Sequence, residues 1–467
     1  DITWLGYKWN KECYASDYFE QLYNWALVLI EKDLAYIDSQ SSKDIANQKG
    51  TPTKEGKASP HRDRDKEESL KVFKEMYNGE HKQGEHVLRA KINMSSPNML
   101  MRDPVIYRVM DSNHHRTGDR WKIYPMYDWT HGESDYIEQV SHSLCTLEFE
   151  PHRELYDWFL DSISPLEGIR PKQREFSRLN LSYTITSKRN LAKLVEEGVV
   201  DGWDDPRMPT ISGLRNRGYT PESLKSFALT AGVSKRENVI DVSLLEFCVR
   251  THLNEEAPRA MAVLDPLKIS IINYKENKEE SVNFDINPQK PGQGKREVLF
   301  SKNIYIERED FQENPEEGFF RLSLGEEVRL KNAYIIKAKN IIKNKKGQIT
   351  EVECEYDEKS KSGTNTEESN RKVKATIHWV SAETAVEATI NIYDRLFKVA
   401  EPGKSQDLLS EVNENSLEIK SAKVEPYLAS AKDGDHFQFQ RLGYFVRTNN
   451  KKTLEFNKTV GLRDGWK

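Results

Sequence analysis

The sequence predicts a multidomain protein, α/β in its first half and all-β after about residue 258. Three observations carry this. The chain has 467 residues, too many for one hydrophobic core. As far as Ala257, strand-like alternation and helical spacing succeed one another. From Pro258 onward, short β-type runs are separated by turn clusters, the pattern of barrels or sandwiches.

Composition narrows the class. Hydrophobic residues are 37% and charged residues 31%. The apolar residues run along the whole length, so folded domains with large solvated surfaces fit and disorder does not. Net charge is −5, so any cations that meet nucleic acid must be gathered locally. Cys13, Cys145, Cys248 and Cys354 are isolated. With no C-x-x-C pair or Cys/His cluster, neither zinc nor a disulfide framework is supported, and no metal site is expected. A reducing compartment, the cytoplasm, fits. No apolar run approaches the ~18 residues of a membrane span, and no signal peptide is expected.

The chain is organised around Arg178-Leu179-Asn180 through Ser187-Lys188-Arg189, followed by Gly202-Trp203-Asp204-Asp205-Pro206-Arg207-Met208-Pro209-Thr210. Leu179, Leu181, Tyr183 and Ile185 alternate with Asn180, Ser182, Thr184 and Thr186, which predicts a strand with one buried face. Ser187 is a good N-cap for a helix from Lys188 to Glu197, stopped by Gly198. Lys188 therefore sits at a strand-to-helix turn, where a cation reaches out towards phosphate. On the Ser-Lys pair alone, an ordinary surface lysine in a first helical turn accounts for the pattern. With its flanks, Ile185-Thr186-Ser187-Lys188 resembles a degenerate form of the second signature loop of class I aminoacyl-tRNA synthetases, the K-M-S-K-S type. Arg178-Leu179-Asn180-Leu181 before it and the segment from Trp203 to Gly218 after it are similar to the glutaminyl-tRNA synthetases, a resemblance that covers essentially the whole chain.

That resemblance implies an architecture. Residues 1–16 and 127–178 would form a Rossmann-like catalytic domain, 17–126 an inserted acceptor-stem-binding domain, and 179–257 a helical subdomain carrying the loop. Two anticodon-binding β-barrels would follow, a proximal one from 258–272 and 376–467 and a distal one from 273–375.

Taken in order, Asp17 to Glu20 reads as a capping box, ahead of Phe19, Leu22, Tyr23, Ala26, Leu27 and Ile30 at helical spacing. Gly50 to Arg64 is a turn-rich basic loop. By resemblance it is a hairpin that opens the end of the tRNA, with Pro52 as its wedge where the family often has an apolar side chain such as leucine. Leu88 to Ile92 and Met101 to Arg108 read as strands, and Trp121 to Asp128 as a buried strand. His131, His142 and Cys145 match no metal spacing and no nucleophile order. By resemblance, Tyr127, His131, Cys145, Phe149 and Gln173 line the glutamine pocket. A neutral hydroxyl such as that of Tyr127 accepts from the glutamine NH2, whereas glutamate has nothing to donate. Such a site rejects the wrong analogue by up to ~10⁴-fold or more. Arg178, Leu179, Thr186, Ser187 and Lys188 would bind ATP, with Lys188 and Ser187 as the catalytic pair. Pro151 stands where the family commonly has an aspartate that reads the acceptor stem, so that contact is not carried over.

Thr220-Pro221 predicts an N-cap with proline at the first helical position, and Val242 to Leu253 a second amphipathic helix. The β region is read as Leu267–Ile272, Ile304–Ile306, Val328–Ala338, Gln348–Tyr356, Val373–Val380, Ala388–Tyr393 and Phe437–Val446. Lys331, Lys337, Lys339, Lys343, Lys345 and Lys346 make a basic arm, either a solvated hairpin or a phosphate contact. By family match, Arg259, Arg321, Arg329 and Gln438 would read the anticodon. Gln440 and Phe320 depart from the commoner glutamate and lysine.

The resemblance implies a glutamine–tRNA ligase that uses ATP with Mg²⁺, acts on tRNA(Gln) and L-glutamine, and works as a monomer. No H-x-G-H motif, the first signature of the class, occurs in the chain. The family places it just ahead of Asp1, so an N-terminal segment is expected to be lacking and this chain alone to be incomplete for ATP binding. Two other readings are an archaeal or eukaryotic-type glutamyl-tRNA synthetase and a non-catalytic tRNA-binding protein.

Overall fold

Residues 1–163, 167–276, 278 and 280–463 are described by the computed structural model. Residues 164–166 of the expected catalytic domain, 277 and 279 of the expected distal barrel, and 464–467 at the end of the expected proximal barrel lie outside the described residues. The chain divides into two units. One comprises Lys8–Arg178 with Val233–Asn238, the other Asp1–Tyr7, Leu179–Gly232 and Val239–Lys467.

In the first unit a four-stranded antiparallel sheet runs in the order Ala35–Asp38, Val87–Ala90, Val105–Val109, Ile123–Pro125. Helices Phe19–Glu31 and Lys66–Asn78 supply Ala26, Leu29, Ile30, Phe73 and Met76 to one core with Leu88, Ile106 and Tyr107. The expected box at Asp17 is not made. Asp17 accepts from Arg116 Nη1 at 2.8 Å and Glu20 from Arg120 Nη2 at 2.7 Å, so both carboxylates serve distant arginines and the helix starts uncapped at Phe19. Met101 lies in a 3₁₀ turn, Met99–Met101, that precedes the strand. After the sheet, helix Tyr127–Ile137 leads to strand His142–Thr146, helix Arg153–Ser162 and strand Lys172–Phe176. The two strands pair in parallel, as a crossover helix permits.

The second unit opens with four helices, Lys188–Glu196, Ile211–Arg217, Pro221–Ala231 and Val242–Glu256. Thr220 Oγ1 accepts from the Ser223 amide at 3.2 Å with Pro221 at the first helical position, as expected. Gly218 ends the preceding helix at φ +93°, and a Cβ there would lie 2.3 Å from Thr459 Oγ1.

Two seven-stranded sheets follow. In the first, Arg259–Ala260 pairs with Gln438–Phe439 at one edge, while Ala262–Val263 pairs with Lys423–Val424 at the other. One continuous segment, turning at buried Met261, thus joins both edges and closes the sheet into a barrel. The second sheet repeats the device. Thr376–Ile377 pairs with Arg329–Leu330, and Val380–Ser381 pairs with Ile304–Tyr305 at the opposite edge, with His378 and Trp379 fully buried between. Barrel closure removes the exposed strand edges that a sheet otherwise presents. Two runs read as single strands are hairpins. Asn332 at φ 55° separates Glu327–Leu330 from Ile335–Lys343, and Arg441 at φ 68° separates His436–Phe439 from Gly443–Arg447. Asparagine tolerates the left-handed region. Arg441 is held there by a bidentate pair with Asp310, at 2.6 and 2.7 Å.

Candidate functional site

In the first unit, five residues that resemblance assigned to glutamine lie together. Tyr127 is the first residue of helix Tyr127–Ile137 and His131 stands one turn later. Their rings lie 5.2 Å apart, and the Phe149 ring 5.4 Å from that of Tyr127. Cys145, on the adjacent strand, places Sγ 3.9 Å from His131 Nε2. Gln173, on the parallel partner strand, donates through Nε2 to the Phe149 carbonyl and to Glu175 Oε1, both at 2.8 Å. Spacing of four on a helix and alternation on a parallel pair bring these side chains to one place. Tyr127 remains 54% exposed, so its hydroxyl is open to a ligand.

The electrostatics suit a neutral polar pocket. Burial pushes the His131 imidazole below its ordinary pKa, partly offset by Asp135. The neutral ring lies 2.9 Å from Ser143 Oγ and 3.3 Å from Asp135 Oδ2. Asp135 in turn accepts from the Tyr156 hydroxyl at 2.9 Å. Burial raises the Cys145 thiol, which disfavours the thiolate a nucleophile needs. Burial also raises the Tyr127 phenol, which stays a hydroxyl. Gln173 Oε1 is buried with no hydrogen-bond partner among the described residues.

Arg178 lies in the same unit and pairs with Glu148, both half exposed. The remaining ATP candidates belong to the second unit. The strand expected from Leu179 to Ile185 is only Asn180–Leu181, matched to the two-residue strand Val239–Ile240. Beyond it Tyr183 turns at φ 58°, and its amide donates to the Ala400 carbonyl at 2.7 Å. Ile185 then packs among Leu191, Leu194, Leu396 and Phe397. Thr186, Ser187 and Lys188 are exposed at the start of helix Lys188–Glu196. The Ser187 side chain makes no capping bond, and Lys188 has no ion-pair partner among the described residues. First-turn amides together with that lysine form an electropositive tip.

Pro52 is exposed in a tight turn in which Thr51 and Lys54 exchange backbone hydrogen bonds at 3.0 and 3.1 Å. Beneath it the buried Arg102 guanidinium donates to the Lys49, Thr51 and Lys54 carbonyls at 2.8, 3.0 and 2.9 Å. Sequence reasoning missed this use of Arg102, which lies within a stretch read as a strand. Its only local signal was the charged pair Arg102-Asp103 at the start of that stretch.

The anticodon candidates differ in what their polar groups already do. Arg259 is 4% exposed and donates to the Ala257 and Asn254 carbonyls at 2.6 and 2.7 Å. It thereby caps the end of helix Val242–Glu256. Gln438 faces it across the parallel pair and donates to the Tyr444 hydroxyl at 2.9 Å. Tyr444 bonds Asn254 Oδ1 at 3.2 Å, so Arg259 and Gln438 share one network. Arg329 donates to the Ser360, Ser369 and Arg371 carbonyls at 2.9, 2.9 and 3.2 Å, tying down the loop from 360 to 371. Arg321 pairs with Glu309 and Asp310 at 3.1 and 3.2 Å. Its neighbour Phe320 is 64% exposed, and an exposed ring offers a stacking face. In the basic arm, Lys339 and Lys343 pair with Glu355 and Glu313, each at 2.7 Å, while Lys345 and Lys346 are exposed at the hairpin end.

Comparison with known proteins bears on the whole chain. Residues 1–255 match the model of tRNA synthetases class I (E and Q), catalytic domain. Residues 257–357 and 376–448 match the two models of the corresponding anti-codon binding domain. A glutamine–tRNA ligase of Vibrio parahaemolyticus is 51% identical over 470 residues, covering 100% of this chain and 84% of its own. One of Tolumonas auensis is 52% identical over 471 residues with the same coverage, and one of Rhodopirellula baltica 50% over 472, covering 78% of its own chain.

Proposed function

We infer that this chain, which belongs to the class I tRNA synthetases for glutamate and glutamine, is a glutamine–tRNA ligase that joins glutamine to tRNA with ATP. The observation that carries the reading is identity of about half to glutamine–tRNA ligases along the chain's full length. The glutamine carboxylate attacks the α-phosphorus of ATP and pyrophosphate leaves. The 2′-hydroxyl of the terminal adenosine of tRNA(Gln) then attacks the adenylate carbonyl and AMP leaves. The cognate tRNA is tRNA(Gln), Mg²⁺ accompanies ATP held mainly by the phosphates, and the protein acts as a monomer. Among the described residues no helix is long and apolar enough to cross a membrane, and the four free cysteines suit a reducing cytoplasm.

The proposed roles follow from chemistry. Tyr127, His131, Cys145, Phe149 and Gln173 hold the substrate side chain, the Tyr127 hydroxyl accepting from its NH2. The neutral state of His131 supports this, because a buried imidazolium would compete for the acceptors. Lys188 neutralises charge building on the triphosphate, and Ser187, Thr186, Arg178 and Leu179 serve ATP. Such catalysis is positioning plus electrostatic stabilisation. The turn at Pro52 would meet the acceptor end, and the barrels the anticodon. Arg259, Arg321 and Arg329 would act by shaping the surface, as their donors are already engaged, whereas the exposed Phe320 ring would stack on a base.

Charging with labelled glutamine and glutamate in parallel, on this chain and on the product of the whole gene, tests the reading. The gene product is expected to charge glutamine alone, and Lys188→Ala in it to lower the activation rate on the order of 10²-fold, as loss of one transition-state donor does. Charging of glutamate would overturn the pocket assignment. Binding of tRNA with no charging by either form would make this a tRNA-binding protein.

A further inference from the structure

We propose that His81, Glu85 and His86 form a binding site for a divalent transition-metal ion of the zinc type, in the loop between helix Lys66–Asn78 and strand Val87–Ala90. The ligand atoms of these three residues lie within 4.8 Å of one another. The Glu85 amide bonds back to the Lys82 carbonyl at 3.2 Å, with Gly84 at φ +89° completing the turn. This turn returns Glu85 to His81, whose Nδ1 lies 3.5 Å from Glu85 Oε2. His86 follows immediately, its ring centroid 4.5 Å from that of His81.

The surroundings point to a ligand set and not to a chance cluster. Metal-bound imidazoles usually engage the second ring nitrogen with a carboxylate or hydroxyl, which fixes the ring and the tautomer. Both histidines have that partner. Glu75, in the last turn of the helix, lies 3.2 Å from His81 Nε2, and Ser39 Oγ lies 3.0 Å from His86 Nδ1. His81 Nδ1 and His86 Nε2 are thereby left to bind. The Glu85 carboxylate is itself held by the Lys82 amide at 3.0 Å. Arg64, a cation near His86, is turned to Ser39, His61 and Glu68, and Lys71 lies 3.8 Å from Glu75. His81 and His86 are half-buried and Glu85 is exposed, so an ion has an entry path and solvent supplies the fourth ligand. Two imidazoles and one carboxylate are the donors of tetrahedral zinc sites with one open position. The ion would tie the helix end to the start of the strand.

The test is titration of the metal-stripped full chain with Zn(II) against a chromophoric chelator. One equivalent is expected to bind. His81→Gln with His86→Gln should weaken it at least ~100-fold, and Glu75→Gln roughly tenfold, the range for loss of an outer partner. Glu85→Gln provides a second ligand variant should the double change disturb folding. His114→Gln with His115→Gln, a histidine pair elsewhere, should leave the affinity unchanged. No uptake by the unaltered chain, or equal uptake by the His81/His86 or Glu85 variants, would overturn the site.

Discussion

The Arg395 guanidinium lies 4.5 Å from the centre of the Tyr183 ring. Tyr183 opens the signature loop, and Arg395 lies just past strand Val386–Tyr393 of the first barrel. Because the Tyr183 amide also donates to Ala400, the barrel's 394–400 segment sets the loop's backbone. A cation–π contact of this kind contributes about 1 kcal/mol. Tyr183→Ala should therefore lower kcat/KM for ATP in pyrophosphate exchange by roughly fivefold. Full exchange activity in the variant would show that the loop holds its shape without the ring contact to Arg395.

Tyr127 offers a second test. Tyr127→Phe keeps the ring contacts with His131 and Phe149 and removes only the hydroxyl. Loss of one hydrogen bond, about 1 kcal/mol, should raise KM for glutamine by several-fold to ~10-fold and relax the rejection of glutamate. The measurement is exchange with each amino acid. An unchanged ratio would place amide recognition on another group.

Glu133 is fully buried, and neither carboxylate oxygen has a hydrogen-bond partner among the described residues. Burial holds its pKa well above the carboxylate range, with Asp135 adding to the shift. The fold thus keeps a proton that the unfolded chain releases above pH ~4.3. The stability it contributes is full below that pH and falls as pH rises towards the folded value, by about 1.4 kcal/mol per pH unit. Glu133→Gln removes this slope, so the variant should gain on the unaltered chain as pH is raised from about 5 to about 8 in urea unfolding. Parallel profiles would mean that Glu133 is ionised in the fold.

Arg296 and Glu425 form a buried pair in the β region, with Nε to Oε1 at 2.6 Å and Nη2 to Oε2 at 3.3 Å. Removing one partner of such a pair strands a buried charge, at ~3–5 kcal/mol. Glu425→Ala should lower the unfolding midpoint accordingly, and Arg296→Met with Glu425→Leu should recover much of the loss. A double variant as unstable as the single one would show that the pair is worth more than its apolar replacement.

Much of the chain was legible locally. The helix after Ser187, the Thr220-Pro221 cap and the short strands after Pro258 each depend on neighbours within a few residues, where period and capping chemistry act. The resemblance also selected Tyr127, His131, Cys145, Phe149 and Gln173, which the fold gathers into one cluster. The misreadings have a common cause. Alternation from Leu179 to Ile185 described a strand, yet its partner is two residues long and Ala400 captures the next amide. Asp17 and Glu20 fit a capping box, yet Arg116 and Arg120 claim them from about a hundred residues away.

By itself the sequence determined the family, the α/β-to-all-β order and the ends of several helices, because these rest on local period and on motif identity. Tertiary structure alone decided how each barrel closes, through single segments that turn at Met261 and at His378-Trp379 to pair with both edges. It alone brought Ser39 behind His86. Such contacts join residues with no local signal for each other. They form only where packing across the whole domain outweighs the entropy of closing long loops.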